Sequence, residues 1–396
     1  MDKRIPESEL HSRMQRFRAR MNQDHPDWGW VIISSKTNQY YFTGTMQDGI
    51  LIIPKDDDAV FWVRRSYERA MDESLFPYIR PMKSYREAAA FMGKAPDVLY
   101  TEMESVPLAL YKRLQKYFSF QDVKSADTSI MAVRSIKSKY ELNIMKQAGK
   151  THQKILEEYV PEILKEGMSE LDLATRLFSV LMEEGYHGFA RFGMYDTYLG
   201  IGQLGFGESS LYPTYFDGPG GNYGLNPAMP FWGSRERKLR KGDLVFVDVA
   251  FGLDGYHTDK TMNYMFGKPI PEEAINFHER CVSLQNDIAR LLKPGAVPAD
   301  IYRTIMDNLD EAFLMHFMGY KEHKVKFLGH GIGLQIDETP VLAAGFSVPL
   351  EENMCIALEP KRGVDGVGIV GTENTYLVTK TGGLSITGEH PGLILV

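Results

Sequence analysis

Four acidic residues and one histidine in the second half of the chain have the chemistry of a metal centre. Asp248 and Asp259, eleven residues apart, flank the turn 252–255 in the segment DLVFVDVAFGLDGYHTDKT. The Asp-Gly pair between two apolar runs predicts a β-hairpin, which brings both carboxylates to the same place. Two buried carboxylates need a cation or hydrogen-bond donors, because burial disfavours an anion and like charges repel.

The remaining candidate ligands lie further along the chain. His330 is predicted in a glycine-flanked turn within FLGHGIGL, where small neighbours allow close approach of a ligand. Glu359 ends a strand predicted at 354–360, and Glu373 is predicted in the middle of the next strand. Oxygen ligands with one imidazole favour Mn, Co, Fe or Zn, and carboxylates can bridge two ions about 3.5–4 Å apart. We therefore expect a two-metal centre that activates water for attack on a substrate.

Composition is that of a soluble globular protein with more than one domain. The chain has 396 residues, of which 43% are hydrophobic and 24% charged. A net charge of −7 argues against a nucleic-acid partner held by phosphate contacts. The sequence has no apolar leader and no apolar run that could span a bilayer, and Cys281 and Cys355 resemble core residues of a reducing compartment. We therefore expect a cytoplasmic protein without a membrane partner.

The first part of the chain predicts an α/β domain without metal ligands. A helical pattern starts at Ser8, and strands are predicted at 28–34, 49–54 and 59–63. The segment 38–44, NQYYFTG, is predicted as a turn and a short strand. This alternation of strands and helices predicts an α/β domain up to about residue 130. Because the segment has no cluster of His, Cys, Asp or Glu at ligand spacing, we expect it to serve as a scaffold or an oligomer contact.

The second part predicts two halves of similar layout. Ser138 and Glu141 form a capping-box pattern at the start of a helix, and a second helix begins at Ser169. Helical patterns recur at 272–292 and 299–314. Two helices followed by β-rich sequence thus occur twice, roughly 130 residues apart, which predicts an internal repeat.

In order and spacing, the four acids and the histidine resemble the metal-ligand set of the M24 or "pita-bread" metallopeptidases. That family includes methionine aminopeptidase, aminopeptidase P, prolidase and the non-peptidase creatinase. The resemblance implies an α/β (α+β) protein, with a creatinase-type N-terminal α/β domain over residues 1–134 and a pseudo-twofold pita-bread catalytic domain over residues 135–396. It also implies a homodimer and two divalent metal ions, which would be Mn, Co, Zn or Fe.

The resemblance also implies a role for each ligand. Asp248 and Glu373 would bridge both ions. Asp259 would hold one ion, and His330 with Glu359 the other. Glu359 would in addition carry a proton from the attacking water to the leaving amine.

Three positions depart from the pattern of the family's peptidases. Those peptidases carry a histidine some eighteen residues before the first aspartate, where this chain reads NPAMPFWGS at 226–234. A second histidine normally follows the metal histidine by seven residues, where this chain has Asp337. An arginine often lies two residues before the last glutamate, where this chain has Gly371. Because one oxyanion donor is worth roughly 3 kcal/mol, loss of both histidines predicts weaker peptide cleavage.

Asp337 is instead predicted to act in substrate binding and catalysis. A carboxylate near the metal site favours a cationic group such as an ammonium, and aromatic faces favour cations as well. The glycine- and proline-rich segment 207–234 is long for a loop in a compact domain, which is typical of functional loops. We expect it to line the substrate pocket through Tyr215, Asp217 and Trp232.

The sequence leaves three functions open. The first is a dinuclear metallohydrolase of the Xaa-Pro peptidase type, which acts on a small peptide. The second is a creatinase-like enzyme that cleaves a C–N or related bond in a small, cationic molecule. The third is a catalytically silent member of the family that binds a partner. The complete ligand set argues against the third, because a binding module has no need of five metal ligands.

Overall fold

The boundary between two units of the chain falls between Arg134 and Ser135 in the computed structural model, which describes residues 3–194, 196–215 and 218–396. Each unit has its own sheets and helices. Among the residues so described, no helix is both long and apolar enough to cross a bilayer.

The first unit combines a mixed β-sheet with short helices. Its helices are α1 (Glu7–Asp24), α2 (Lys36–Thr43), α3 (Tyr67–Glu73), α4 (Tyr85–Met92), α5 (Leu108–Phe118) and α6 (Asp127–Ser135). Its strands are β1 (Trp30–Ile33), β2 (Gly49–Pro54), β3 (Val60–Val63), β4 (Ile79–Pro81), β5 (Val98–Thr101) and β6 (Asp122–Ser125). They form one sheet in the order β4-β3-β2-β1-β5-β6, in which β1 runs antiparallel to β2 and parallel to β5.

The helix predicted from Ser8 and the strands predicted around β1, β2 and β3 are confirmed. The prediction of a turn and short strand at 38–44 is wrong, because most of that segment lies in α2. The Ser35 side chain accepts a hydrogen bond from the Asn38 backbone N–H, and Gly44 ends the helix in the left-handed conformation with φ of 76°. These two caps and the burial of the segment override the strand preference of its aromatic residues.

The second unit is built from a larger set of elements. Its helices are α7 (Lys139–Lys154), α8 (Val160–Ile163), α9 (Glu170–Glu183), α10 (Glu272–Leu291), α11 (Pro298–Met306) and α12 (Glu311–Leu314). Its first strands are β7 (Ala190–Arg191), β8 (Tyr198–Leu199), β9 (Gly202–Phe206), β10 (Leu244–Leu253), β11 (Tyr256–Met265), β12 (Gly319–Tyr320) and β13 (His323–Lys324). The remaining strands are β14 (Gly329–Gly331), β15 (Glu338–Val341), β16 (Cys355–Leu358), β17 (Lys361–Val364), β18 (Gly368–Gly371), β19 (Asn374–Thr379), β20 (Gly382–Ser385) and β21 (Ile394–Leu395).

The helix starts predicted at Ser138 and Ser169 are confirmed, and both serines form capping boxes. The single helix predicted at 299–314 is instead two helices, α11 and α12. The break occurs because the carboxylate of Asp310 accepts a hydrogen bond from the Phe313 backbone N–H at 2.9 Å and so starts a new helix.

Two helix-covered sheets form the centre of the second unit. The sheet β21-β11-β10-β9 packs against α7 and α9, and the sheet β15-β14-β16-β19-β20 packs against α10 and α11. A backbone bridge between Thr261 and Glu373 joins β11 to the start of β19. The layout of two similar halves agrees with the internal repeat predicted from the sequence.

Several histidines are buried in this unit. Nε2 of His278 lies 3.1 Å from Nε2 of His390, and Nδ1 of His152 lies 3.1 Å from Oγ1 of Thr258. Burial, with smaller contributions from neighbouring cationic groups, lowers the pKa of His278 to about 3, of His390 to about 4 and of His152 to about 3. The folded chain therefore keeps these rings neutral at pH values at which an unfolded chain protonates them.

We expect the free energy of unfolding of this unit to fall as the pH is lowered from 7 to 5. A histidine with a lowered folded-state pKa stabilises the fold above the unfolded pKa of about 6.5 and destabilises it below, by up to about 1.4 kcal/mol per pH unit. Urea unfolding at several pH values measures this slope. His390→Gln should flatten it, whereas His323→Gln at an exposed position should leave it unchanged. Equal slopes for wild type and His390→Gln would contradict this explanation.

Candidate metal centre

The predicted hairpin is confirmed, and its strands β10 and β11 are longer than the sequence indicated. Asp248 pairs with Thr261, and Asp259 pairs with Ala250. The strands are joined at Asp254-Gly255, where φ is 44° and 93°. Cross-strand partners and residues two apart lie on one face of a sheet, so both carboxylates point to the same side.

His330 lies in strand β14, and the prediction of a turn at this residue is wrong. The glycines on either side are the physical reason. A Cβ at Gly329 would lie 2.3 Å from the backbone O of Ala357, and one at Gly331 would lie 2.4 Å from the backbone O of Thr339. The glycines thus let the neighbouring chain segments close on β14, which holds His330 between β15 and β16.

The two glutamates come from the same half of the unit as His330. Glu359 directly follows β16, as predicted, and its side chain is 5% exposed. Glu373 lies between β18 and β19 rather than in the middle of one strand. It occupies this position because its backbone pairs with Thr261 of the hairpin. This backbone pairing places Glu373 close to the two aspartates of the hairpin.

The structure brings all five predicted ligands together. Nε2 of His330 lies 3.5 Å from Oε1 of Glu359 and 3.8 Å from Oε1 of Glu373. Asp259, His330 and Glu373 each offer one ligand atom, and these atoms lie within 4.8 Å of one another. This grouping differs from the resemblance, which assigns Asp259 and His330 to different ions.

Thr261 contacts acids from both halves of the centre. The sequence did not indicate this residue. Its Oγ1 lies 2.9 Å from Oδ1 of Asp248 and 3.0 Å from Oε2 of Glu373. The hydroxyl hydrogen can be donated to only one of these carboxylates at a time. Thr261 therefore positions both acids without neutralising either.

A lysine that the sequence analysis missed also lies in the centre. Nζ of Lys361 is 2.9 Å from Oδ2 of Asp248, 3.1 Å from Oε2 of Glu359 and 2.6 Å from Oε2 of Glu373. The lysine side chain is 1% exposed. A signal was available, since Lys361 follows the predicted ligand Glu359 by only two residues. A buried lysine requires acidic partners.

The charges in the centre shift one another's protonation. Burial and the Glu373 carboxylate raise the pKa of Asp248 to about 6, against the opposing effect of Lys361. Burial and the neighbouring acids raise the pKa of Asp259 well above its usual value. Burial alone would lower the pKa of His330 and Lys361, but the surrounding carboxylates outweigh it, and both pKa values are raised. The centre therefore favours cations.

The described residues fit one divalent ion. Oε1 of Glu373 is buried and, among the parts of the chain that the structure describes, has no hydrogen-bond partner. Nδ1 of His330 lies 3.1 Å from the backbone O of Gly331, so that its N–H donates there and Nε2 is left for a ligand. Two carboxylates and one imidazole suit Mn, Co, Fe or Zn. Asp259, His330 and Glu373 are thus the residues that could hold it.

A pocket of about 210 Å³ opens above the centre. The four acids and His330 line it, together with Asp337. Its apolar lining residues include Phe192, Leu199, Phe327, Ile336 and Val341. Oδ1 of Asp337 accepts a hydrogen bond from the backbone N–H of Gly193 at 2.9 Å, and burial raises the pKa of Asp337. No lysine or arginine is found among the described residues that line this pocket.

Tyr215 and Trp232, which were predicted to bind substrate, are not among the described residues that line this pocket. Tyr215 lines a neighbouring pocket and packs on Phe231, with ring centroids 6.1 Å apart. Trp232 packs edge-on against Phe178 at 5.6 Å and joins the apolar core beneath β9 and β10, because the absence of a side chain at Gly200 leaves room for its ring. Asp217 lies outside the described residues.

Comparisons with known proteins agree with this architecture. The model of metallopeptidase family M24 matches residues 143–380, and the model of the creatinase/prolidase N-terminal domain matches residues 13–136. The Xaa-Pro dipeptidase of Pyrococcus furiosus is 24% identical over 366 residues, which are 92% of this chain and 94% of that protein.

Solved structures give the same result for the fold. The prolidase from Pyrococcus horikoshii OT3 has a TM-score of 0.79 at 23% identity, over 97% of this chain and 100% of that one. The dipeptidase PepE from Mycobacterium ulcerans has a TM-score of 0.79 at 23% identity, over 99% of each chain. The predicted fold class, a creatinase-type domain followed by a pita-bread domain, is confirmed.

We expect divalent metal to raise the melting temperature of the protein, and chelation to lower it. An ion between the acids removes their mutual repulsion, and at about 100-fold excess over its Kd it stabilises the folded state by about 2.7 kcal/mol. Scanning calorimetry with Mn²⁺ or with EDTA measures the shift. His330→Ala should lose most of it, whereas His323→Ala at an exposed position should keep it. A full shift in His330→Ala would be incompatible with this site.

Proposed function

The chain belongs to metallopeptidase family M24, and from this premise we propose that it is a metal-dependent peptidase that cleaves Xaa-Pro bonds in short peptides. The observation that carries the proposal is the convergence of the five ligands in the lining of one pocket, together with several apolar residues. Relatives named Xaa-Pro dipeptidase support it, since they are similar over nearly their whole length.

The shape of the pocket supports a small substrate with an apolar ring. Its volume of about 210 Å³ is below the roughly 300–1,000 Å³ of sites for drug-sized ligands. Its apolar lining residues, which include Phe192 and Phe327, can cover the pyrrolidine ring of a proline residue. We propose that the scissile bond then lies over Glu359 and that the substrate's free ammonium group pairs with Asp337.

We propose that Asp259, His330 and Glu373 hold a divalent ion. When bound, such an ion polarises the scissile carbonyl group and lowers the pKa of water. Glu359 accepts the proton of the attacking water at Oε1, the oxygen that Lys361 does not contact, and delivers it to the proline nitrogen that leaves. The hydrogen bond from Lys361 to Oε2 of Glu359, at 3.1 Å, fixes the orientation of that carboxylate. Asp337 orients the substrate but does not touch the reacting bond.

Finer features of the proposal come from the family resemblance. They are a homodimer, a cytoplasmic location and an ion that is Mn, Co, Zn or Fe. Cys281 and Cys355 are both buried free thiols, and burial raises the pKa of each to about 12. Thiols of this kind are unreactive core residues, which is compatible with a reducing compartment.

A creatinase-like reaction on a small cationic molecule is the second candidate. The acidic lining of the pocket favours it, because no lysine or arginine among the described lining residues would neutralise the carboxylate of a dipeptide. Asp337, in place of the second histidine of the peptidases, adds a further negative charge.

A substrate panel should distinguish the two candidates. With Mn²⁺ or Co²⁺ present, we expect hydrolysis of Ala-Pro and Ala-Pro amide but not of Ala-Ala, with the amide preferred because it has no terminal carboxylate. His330→Ala should reduce kcat/KM by more than about 100-fold through loss of an ion ligand. Cleavage of creatine without cleavage of either proline substrate would instead establish the second candidate.

The role of Asp337 has its own test. Asp337→Asn should raise KM for Ala-Pro amide about tenfold, equal to about 1.4 kcal/mol, and leave kcat nearly unchanged. The same variant should not change KM for an N-acetylated substrate, which lacks the ammonium group. Asp254→Asn at the exposed hairpin tip is the matched control. Equal effects on free and acetylated substrates would show that Asp337 does not bind the ammonium.

A further inference from the structure

We infer that Lys361 is the second cation of the centre, so that each chain binds one divalent ion rather than two. The inference rests on the metal-binding part of the proposed function. It does not depend on which bond the enzyme cleaves. Three observations support it: the contacts of Lys361, the strand that holds it, and the ligand atoms left free.

The ammonium group of Lys361 occupies the place that a second ion would need. Its Nζ has three hydrogens, and three carboxylate oxygens accept them, at 2.9 Å from Asp248, 3.1 Å from Glu359 and 2.6 Å from Glu373. The group is thus fully hydrogen-bonded. A second divalent ion would have to share the same oxygens at a distance at which two cations repel strongly.

The strand pairing at Lys361 requires a glycine as its partner. Lys361 starts β17 and pairs with Gly371, the last residue of β18. Gly371 has φ of 132°, and a Cβ there would lie 2.4 Å from the backbone O of Pro360 and 2.6 Å from Cα of Lys361. A side chain at 371 is therefore excluded by the close approach of the two strands. The ring of Phe246, with its centroid 5.9 Å from Nζ, covers the lysine from another side.

The ligand atoms that remain form a site for one ion. The two carboxylate oxygens of Glu373 have different neighbours. Oε2 accepts a hydrogen bond from Lys361, whereas Oε1 lies 3.8 Å from Nε2 of His330. Asp259 does not contact Lys361 through any described hydrogen bond or ion pair, and its ligand atom lies with those of His330 and Glu373. The centre is thus divided into an ammonium side and a metal side.

Metal stoichiometry tests the inference. Wild-type protein is stripped with EDTA, titrated with Co²⁺ and analysed for bound cobalt by mass spectrometry after gel filtration. We expect one Co²⁺ per chain for wild type and two for Lys361→Met, which frees three carboxylate oxygens. In Mn²⁺-loaded protein, electron paramagnetic resonance should show isolated ions in wild type and a coupled pair in Lys361→Met.

Lys137→Met is the matched control, because Lys137 is also 1% exposed and pairs with a buried glutamate, Glu338, outside the centre. It should bind one ion. If Lys361→Met does not fold, Lys361→Gln replaces it. The number of ions bound per wild-type chain is also a sufficient test by itself. Two ions in wild type, or one in the folded Lys361 variant, would overturn the inference and leave the peptidase proposal intact. No bound ion in wild type would overturn both, whereas one bound ion without Xaa-Pro cleavage would overturn only the peptidase proposal.

Discussion

Repulsion among four buried carboxylates is the constraint that the second unit has to satisfy. Each of these groups is costly to bury without a counter-charge, and their proximity makes the cost larger. The chain itself supplies part of the counter-charge, because the ammonium group of Lys361 contacts three of the four carboxylates. Burial and the repulsion that Lys361 leaves uncompensated raise the pKa of Asp259. The same uncompensated negative charge favours the divalent cation that the proposed reaction needs.

The scaffold brings these charges together through backbone contacts rather than through the charges themselves. The hairpin fixes the two aspartates on one face, and the bridge between Thr261 and Glu373 joins the hairpin to the other half of the unit. Glycines at 329, 331 and 371 let neighbouring segments approach more closely than any side chain would allow. The site is thus located where two halves meet, and neither half contains a complete set of ligands.

The sequence was informative where a residue type contradicted its surroundings. Acids at the ends of apolar runs indicated the ligands, and the Asp-Gly pair indicated the hairpin. Residues 38–44 were misread because aromatic side chains favour strands locally, whereas capping and burial decide the outcome. Trp232 illustrates another limit, since aromatic residues of a core and of a pocket look alike in a segment without periodicity. Lys361 could not be recognised in the same way, because a lysine next to an arginine in sequence looks like a solvated surface charge until the fold shows its three acidic partners.

The hairpin also determines where the chain can change length. A single residue inserted between Asp248 and the tip would shift the pairing by one position and turn that carboxylate to the opposite face of the sheet. Residues added at Asp254-Gly255 would lengthen only the exposed end and leave both aspartates in place. This tolerance is confined to the two tip residues, because Leu253 on one side packs on the apolar core and the hydroxyl of Tyr256 on the other donates to Glu141.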